Sequence, residues 1–470
     1  MWKSRALATM MASMLVTACA APMPTVRPGA LAGSQTTTVT ALARSETAAF
    51  LKEEGVPVSA AEQADLENTF ARVVTFATAP DMSPAPATSP VRGALPDFVV
   101  NPVAQTNDTS LYLDDSEIFP ELFRLIRGAK KRIQVSYFLL GGDIGMNLAT
   151  AMVERSKAGV EIQIMLDPKL GLSGDVADGV ARVVAYLKAN NVNFKLYPLA
   201  LFGAMPNSIQ RKFQINHNKI AVFDGETAFV GSMNLDDLAR INHDLMVRIE
   251  GPTAKEYSAM LDEEWAFGTL LARGGMATQA VSQVRITQTA PQQRNTKESL
   301  LKIIAGAQRS IHVAMYEFGD ADMAAALCNA YKRGIDVRVI LDPKGAALTK
   351  YGAGIMPDGM PNILPARELL KVGAQVRWFK PWRFNQELHM KAMVVDGRTL
   401  VAGSTNWTTN AFTRWRETSF IVDGGAALAF EDEFTRMWNG TTVRIDRLNL
   451  KQRLTARLCE YMNRRDIAFW

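Results

Sequence analysis

The sequence predicts an α/β protein built from two similar α/β/α halves, each with a mixed β-sheet, facing each other across a pseudo-twofold axis. Three observations carry that expectation: an internal repeat, strands that alternate with helix-patterned segments in each copy, and Asp-Gly turns at matching places. At 470 residues and 48% hydrophobic, the chain has enough apolar material for two or three packed domains. Three cysteines, Cys19, Cys328 and Cys459, make no disulfide framework, and four histidines leave little for a zinc finger. A formal charge of +5 is far from the dense basic stripe of a dedicated nucleic-acid binder.

Residues 1–18 carry Lys3 and Arg5 and then an apolar run to Ala18, which has the order and length of a signal peptide and is too short to span a bilayer. The run ends Val16-Thr17-Ala18-Cys19, which resembles the bacterial lipobox, so Cys19 is expected to be lipidated and to anchor the mature chain. Ala20 in the next position points to the outer membrane facing the periplasm; an ordinary signal-peptidase cut would leave a soluble periplasmic or secreted protein. Residues 19–108, rich in Ala, Pro, Ser and Thr, read as a flexible tether. One helix-compatible island near Ala60–Ala77 either belongs to that arm or packs on the core.

The first half is expected over 109–270, a linker over 271–293 and the second half over 294–442. Ile133–Phe138 is matched by Ile311–Tyr316, and both Asp167 and Asp342 end a β-branched strand in Leu-Asp-Pro-Lys. The offset drifts slowly, from 178 residues at Ile133 to 175 at Asp167 and 172 at His217, as a duplication with small loop changes would leave it. The tail, 443–470, is basic, with Leu450, Leu454, Leu458 and Tyr461 at helical spacing. It suits a helix packed on the domain or one docked on anionic lipid.

The chemistry lies in two copies of HxKxxxxD followed by GSxN. The first runs from His217 and Lys219 through Asp224 to Gly231, Ser232 and Asn234; the second from His389 and Lys391 through Asp396 to Gly403, Ser404 and Asn406. On a strand, residues i and i+2 share a face about 7 Å apart, so the imidazole and ammonium can meet one phosphate. A turn at Asp224-Gly225 or Asp396-Gly397 folds GSxN back beside its own HxK. His, Lys, Ser and Asn then converge, with Ser232, Ser404, Asn234 and Asn406 as neutral phosphate ligands. No metal ligand set is formed, because HxK puts an ammonium where a second ligand would stand. Asp224 and Asp396 are out of phase with their histidines and are read as turn and salt-bridge residues. His312 is expected to be a packed or satisfied histidine, His243 to face away from Asp244, and Cys328 to lie in a core helix.

This constellation resembles the phospholipase D superfamily over about residues 109–442, with both motifs complete. The resemblance implies one site shared by two facing motifs, in which one histidine attacks phosphorus to form a phosphohistidine and the other protonates the leaving alcohol. By that resemblance His217 is the nucleophile and His389 the acid, with the order of roles less firmly set than the pair. Lys219, Lys391, Asn234 and Asn406 then hold the phosphate, and an acidic residue downstream of each motif, Asp244 or Glu417, orients a histidine. No cofactor is implied, and a monomer suffices.

The motif fixes the reaction and leaves the phosphodiester open. Leu199–Met205 and Trp378–Phe384, apolar stretches before each motif, suit a mouth for acyl chains or ordinary packing. With the anchor, they favour a phospholipid substrate at a membrane surface, with water, an alcohol or phosphatidylglycerol as acceptor. Asn107–Leu113 and Tyr137-Phe138 resemble the start of cardiolipin synthase-type domains. Gly403-Ser404-Thr405-Asn406-Trp407-Thr408 resembles the wording of phospholipase D-type endonucleases, which keeps a nucleic-acid substrate as the alternative; a phosphate-binding scaffold without activity is a third reading.

Overall fold

The computed structural model describes residues 33–77, 107–167, 175–197, 215–267, 283–290, 293–343 and 359–465. The signal peptide, Cys19 and the apolar loop Leu199–Met205 lie outside these residues. The first half runs β1 (Asp108–Leu113), α3 (Asp114–Gly128), β2 (Arg132–Tyr137), α4 (Gly142–Lys157), β3 (Glu161–Leu166), α5 (Asp175–Ala189) and β4 (Phe194–Leu196). It closes with β5 (Lys219–Phe223), β6 (Thr227–Gly231), β7 (Leu245–Glu250) and α6 (Pro252–Phe267). Its seven strands lie in the order β1-β7-β6-β5-β2-β3-β4.

The second half repeats this with β8 (Val284–Ala290), β9 (Gln293–Arg294), α7 (Thr296–Gly306), β10 (Ser310–Met315), α8 (Ala321–Lys332), β11 (Asp336–Leu341), α9 (Ile363–Lys371) and β12 (Gln375–Phe379). Then come β13 (Lys391–Val395), β14 (Thr399–Gly403), α10 (Thr409–Thr413), β15 (Glu417–Asp423), α11 (Gly425–Gly440), β16 (Thr442–Arg444) and α12 (Leu450–Arg464). The sheet order is β16-β12-β11-β10-β13-β14-β15-β8-β9, so β8, β15, β14, β13, β10, β11 and β12 copy the first sheet strand for strand. In each sheet the βαβ strands pair in parallel and the hairpin strands antiparallel.

Period-two alternation explains how one strand feeds two cores. Ile220 and Val222 of β5 join the cluster between the halves, while Ala221 and Phe223 join the outer core of the first half. Likewise, Ala392 and Val394 of β13 face the central cluster, and Met393 and Val395 the outer core of the second half. The two sheets and helices α6 and α11 thus share one apolar interior, with Tyr257, Phe420, Phe430 and Met437 fully buried in it.

Two expectations are corrected. Residues 271–293 are not all linker: β8 pairs with β15 from Val284↔Val422 to Thr289↔Glu417, because its alternating Val284 and Ile286 belong to the central core. Nor is 19–108 tether throughout, and the helix-compatible island at Ala60–Ala77 takes the second of its two readings, packed on the core. Helices α1 (Gly33–Glu54) and α2 (Ala60–Ala77) form a pair, with Ser59 and Glu62 capping α2 reciprocally. Phe50, Leu66, Phe70 and Val73 pack into the outer core of the second half, beside Leu454, Leu458 and Met462 of α12. The basic tail therefore docks on protein: Arg453 pairs with Glu54, Arg457 with Glu46 and Glu53, and Lys451 with Asp65. Cys328 and Cys459 are buried thiols in α8 and α12.

Candidate active site

Each HxK pair sits where β5 or β13 begins, and the chain is bent to the right place by its turn. Asp224 and Gly225 both have positive φ (56° and 69°), as do Asp396 and Gly397 (57° and 65°), the conformation that two-residue hairpin turns require. The Asp224 carboxylate accepts hydrogen bonds from the backbone N–H groups of Lys130, Lys131 and Arg132, and Asp396 from those of Gln308, Arg309 and Ser310. The expected salt-bridge role is thus replaced by a clamp on the start of β2 and β10. Gly231 and Gly403 are demanded by close approach: a Cβ there would lie 2.2 Å from Leu245 O or 2.5 Å from Thr418 O.

The repeated Leu-Asp-Pro-Lys stretches have a positioning role that the sequence reading did not assign. Asp167 Oδ2 accepts from Asn216 N–H at 2.7 Å, and Asp342 Oδ2 accepts from Leu388 N–H at 2.7 Å. Each aspartate therefore fixes the backbone immediately before a motif histidine. Their signal was the duplication itself.

The histidines are held crosswise. His217 Nδ1 is 2.9 Å from Glu417 Oε1 of the second half, and His389 Nδ1 is 2.9 Å from Asp244 Oδ1 of the first. The backbone crosses too: His217 N–H donates to Arg416 O, and His389 N–H donates to His243 O, each at 2.9 Å. A carboxylate on Nδ1 favours the tautomer with its proton there and the lone pair on Nε2. Lys219 and Lys391 donate to the carbonyls of His217 and His389, and their ammonium groups lie over the rings of Phe138 and Tyr316, 5.1 and 4.6 Å from the centroids. Those same rings stand edge-on to the two histidines, 5.0 and 4.8 Å between centroids.

The serines are not where expected. Ser232 Oγ donates to Asp244 Oδ1 at 2.6 Å and Ser404 Oγ to Glu417 Oε2 at 2.5 Å. Their hydroxyl protons hold the carboxylates that hold the histidines, so the expected phosphate contacts give way to a supporting role. Among the described residues, Asn234 Oδ1 and Asn406 Oδ1 are buried with no hydrogen-bond partner, and Asn406 Nδ2 donates to Glu317 Oε2 at 2.8 Å. Glu317 was not picked out from the sequence. It takes the position of Leu139 in the first half and is buried.

The electrostatics differ between the two sides. Burial pushes His389 down to about 4 despite Asp244, so the ring is neutral at pH 7. Burial opposes ionisation of Asp244, but His389, Lys391 and Ser232 together hold it below the usual carboxylate range. Burial raises Glu417 well above that range, with Lys219 and Ser404 opposing. Burial also brings Lys391 down to about 8 and Glu317 up to about 7. His243, as expected, faces away: it is buried between Asp114 and Glu433, at 2.8 and 2.9 Å. His312 bonds Glu431 through Nδ1 and stacks on Phe434, outside the site.

The two HxK motifs, each histidine backed by an acid from the other copy, form one composite arrangement. A model of the cardiolipin synthase, phospholipase D-like domain matches residues 122–265 and 300–438. The chain belongs to the phospholipase D-like family. Among its relatives, it is 25% identical over 343 residues to a probable cardiolipin synthase of Bacillus subtilis, covering 68% of this chain and 63% of that one. It is 26% identical over 338 residues to cardiolipin synthase A of Pseudomonas syringae, covering 68% and 66%. The match thus spans just under two thirds of both relatives. Among solved structures, phosphatidylserine synthase of Haemophilus influenzae superimposes with a TM-score of 0.57 at 15% identity, over 76% of this chain and 93% of that one, a likeness of fold.

Proposed function

We propose that this protein is a phosphodiesterase or phosphatidyltransferase acting on glycerophospholipids through a covalent phosphohistidine. The observation that carries the reading is the crossed pair of His–carboxylate bonds, which puts two carboxylate-backed imidazoles, one from each half, into one arrangement. His217 Nε2 attacks phosphorus and forms an N–P bond as the P–O bond to the leaving alcohol breaks. His389 Nε2–H supplies that alcohol's proton, then takes the proton of water, glycerol or phosphatidylglycerol as the acceptor oxygen attacks and the N–P bond breaks. Lys219, Lys391, Asn234 and Asn406 bind the non-bridging oxygens. Neutral His389 is suited to wait for substrate: the diester's negative charge raises its proton affinity on arrival, so the acid is charged only when a phosphate is present.

The resemblance to cardiolipin synthases supports a lipid substrate, and the reading includes lipidation at Cys19 with the folded part at the outer membrane facing the periplasm. No observation favours nucleic acid. Trp407, which carried the endonuclease resemblance, is 3% exposed and packed edge-on against Phe318. The test incubates the full chain, with EDTA present, with mixed phospholipid vesicles and separately with single-stranded DNA. Phosphatidic acid by mass spectrometry indicates hydrolysis and cardiolipin indicates transfer; cut DNA with untouched lipid overturns the proposal.

A further inference from the structure

The loop between β12 and the second motif presents its apolar side chains to solvent. Phe384 is 90% exposed and Trp382 43% exposed, whereas Phe379, just upstream, is buried in the central core. Phe384 stands five residues before His389. The loop is braced. Gln386 Oε1 accepts from the backbone N–H groups of both Trp382 and Arg383, and Arg383 bridges to Asp115 and to the carbonyl of Arg240 in the first half. Trp382 rests edge-on against His243 and Phe379, 5.0 and 5.4 Å between centroids. Leu238, two residues before Arg240, is exposed as well. Around these apolar groups cations outnumber the carboxylates that hold them: Lys380 is exposed, Arg240 and Arg383 share the single carboxylate of Asp115, and Arg436, paired with Glu433, lies 6.0 Å from the Trp382 ring.

A rigid protrusion with an aromatic tip and a ring of cations fits the boundary between acyl chains and anionic headgroups, where amphipathic aromatic rings and Lys or Arg side chains are both favoured. We infer that residues 380–385 form a membrane-docking tip, which inserts Phe384 and Trp382 among anionic phospholipids and sets the second motif's histidine beside the bilayer surface. The inference rests on the lipid reading of the site and names the surface from which the substrate is taken. Chains held this way give up a diester without the lipid leaving the bilayer.

The test compares the full chain carrying Cys19→Ser, so that no acyl anchor contributes, with the same chain carrying Phe384→Ser or Lys380→Glu. The probes are flotation with phosphatidylglycerol–phosphatidylcholine vesicles, turnover of bis(4-nitrophenyl) phosphate, and mass in solution by light scattering. The parent should float with the vesicles, more strongly at low salt. Phe384→Ser should cut the bound fraction about ten-fold, as loss of one buried aromatic implies, and Lys380→Glu should weaken binding chiefly to anionic vesicles, both with soluble-diester turnover kept. Unchanged flotation of Phe384→Ser overturns the tip. So does a fall in mass from dimer to monomer with flotation unchanged, which would give the patch to a second copy. A parent that floats but releases no lipid product would leave the tip standing and remove the lipid-enzyme reading; a parent that processes lipid while Phe384→Ser floats unchanged would do the reverse.

Discussion

His217 Nδ1 lies 2.9 Å from Glu417 Oε1, a carboxylate 200 residues further along and in the other half of the molecule. The reciprocal bond, His389 to Asp244, closes the arrangement, so each half supplies the carboxylate that holds the other's motif histidine. Glu417→Gln and Asp244→Asn should therefore each lower turnover on the order of 10²- to 10⁴-fold with the fold retained, as loss of a histidine-orienting acid does elsewhere. Steady-state rates alongside circular dichroism check this. Loss of less than three-fold in both would mean that the carboxylates are not orienting groups.

The histidines should be individually indispensable. His217→Ala and His389→Ala are each expected to reduce turnover below detection, and denatured-enzyme trapping with ³²P-labelled substrate should label the His389→Ala protein and not His217→Ala. The opposite labelling would exchange the two roles. Near-normal activity of either variant would sink the shared site.

Glu417 also carries a stability cost. Its folded pKa lies above the unfolded value of about 4.3. Between the two the folded state binds more protons, so this group's contribution becomes less favourable as pH rises above about 4.3. Glu417→Gln should accordingly raise the melting temperature at pH 8 while it removes activity. A variant that melts lower at that pH contradicts a burial penalty on the ionised Glu417 carboxyl.

His243 works the other way. Burial pulls its proton affinity down, but Asp114 and Glu433 outweigh burial and raise it. Stabilisation from a raised histidine is fully present below the unfolded value of about 6.5 and is lost as pH rises through the folded value. His243→Gln should destabilise the protein on the order of 3 kcal/mol at pH 6 and by less at pH 9, since it leaves two carboxylates facing an uncharged group. Urea unfolding at the two pH values measures it; an equal loss at both would mean packing alone.

Substrate capture should weaken on the alkaline side. Above about 7 Glu317 acquires a negative charge beside Asn406, and near 8 Lys391 sheds its positive one. Both changes repel or release an anionic diester, so kcat/KM should fall from pH 7 to 9. A profile rising across that range would remove both groups from the phosphate's surroundings.

The repeat made the fold readable before any coordinates, because equal spacing in two copies is a stronger constraint than the propensity of any one segment. The motif residues were legible for the same reason. What the sequence concealed is which partner each polar group takes. Ser232 and Ser404 were assigned to phosphate because a hydroxyl in GSxN can serve either side, and only the 2.6 and 2.5 Å bonds to the acids decide. The crossing of acids between halves has no local signature, since Asp244 follows His217 in the chain but orients His389. Strand β8 was hidden in an apparent linker because its pairing partner, β15, lies more than a hundred residues away. Helix α1 was hidden by the Ala- and Thr-rich composition around it, whereas α2 is the helix-compatible island at Ala60–Ala77; α12 supplies apolar partners to both.

The equivalent positions of the two copies have drifted apart in chemistry: Phe138 opposite Tyr316, Leu139 opposite Glu317, His243 opposite Arg416, Asp244 opposite Glu417. A symmetric pair of separate half-length subunits would be unable to hold these differences, because every substitution would arrive on both sides of the phosphorus at once. Joining the copies in one polypeptide lets mutation act on the two sides of the site independently. Fusion has thereby converted a mirrored cleft into a directional one.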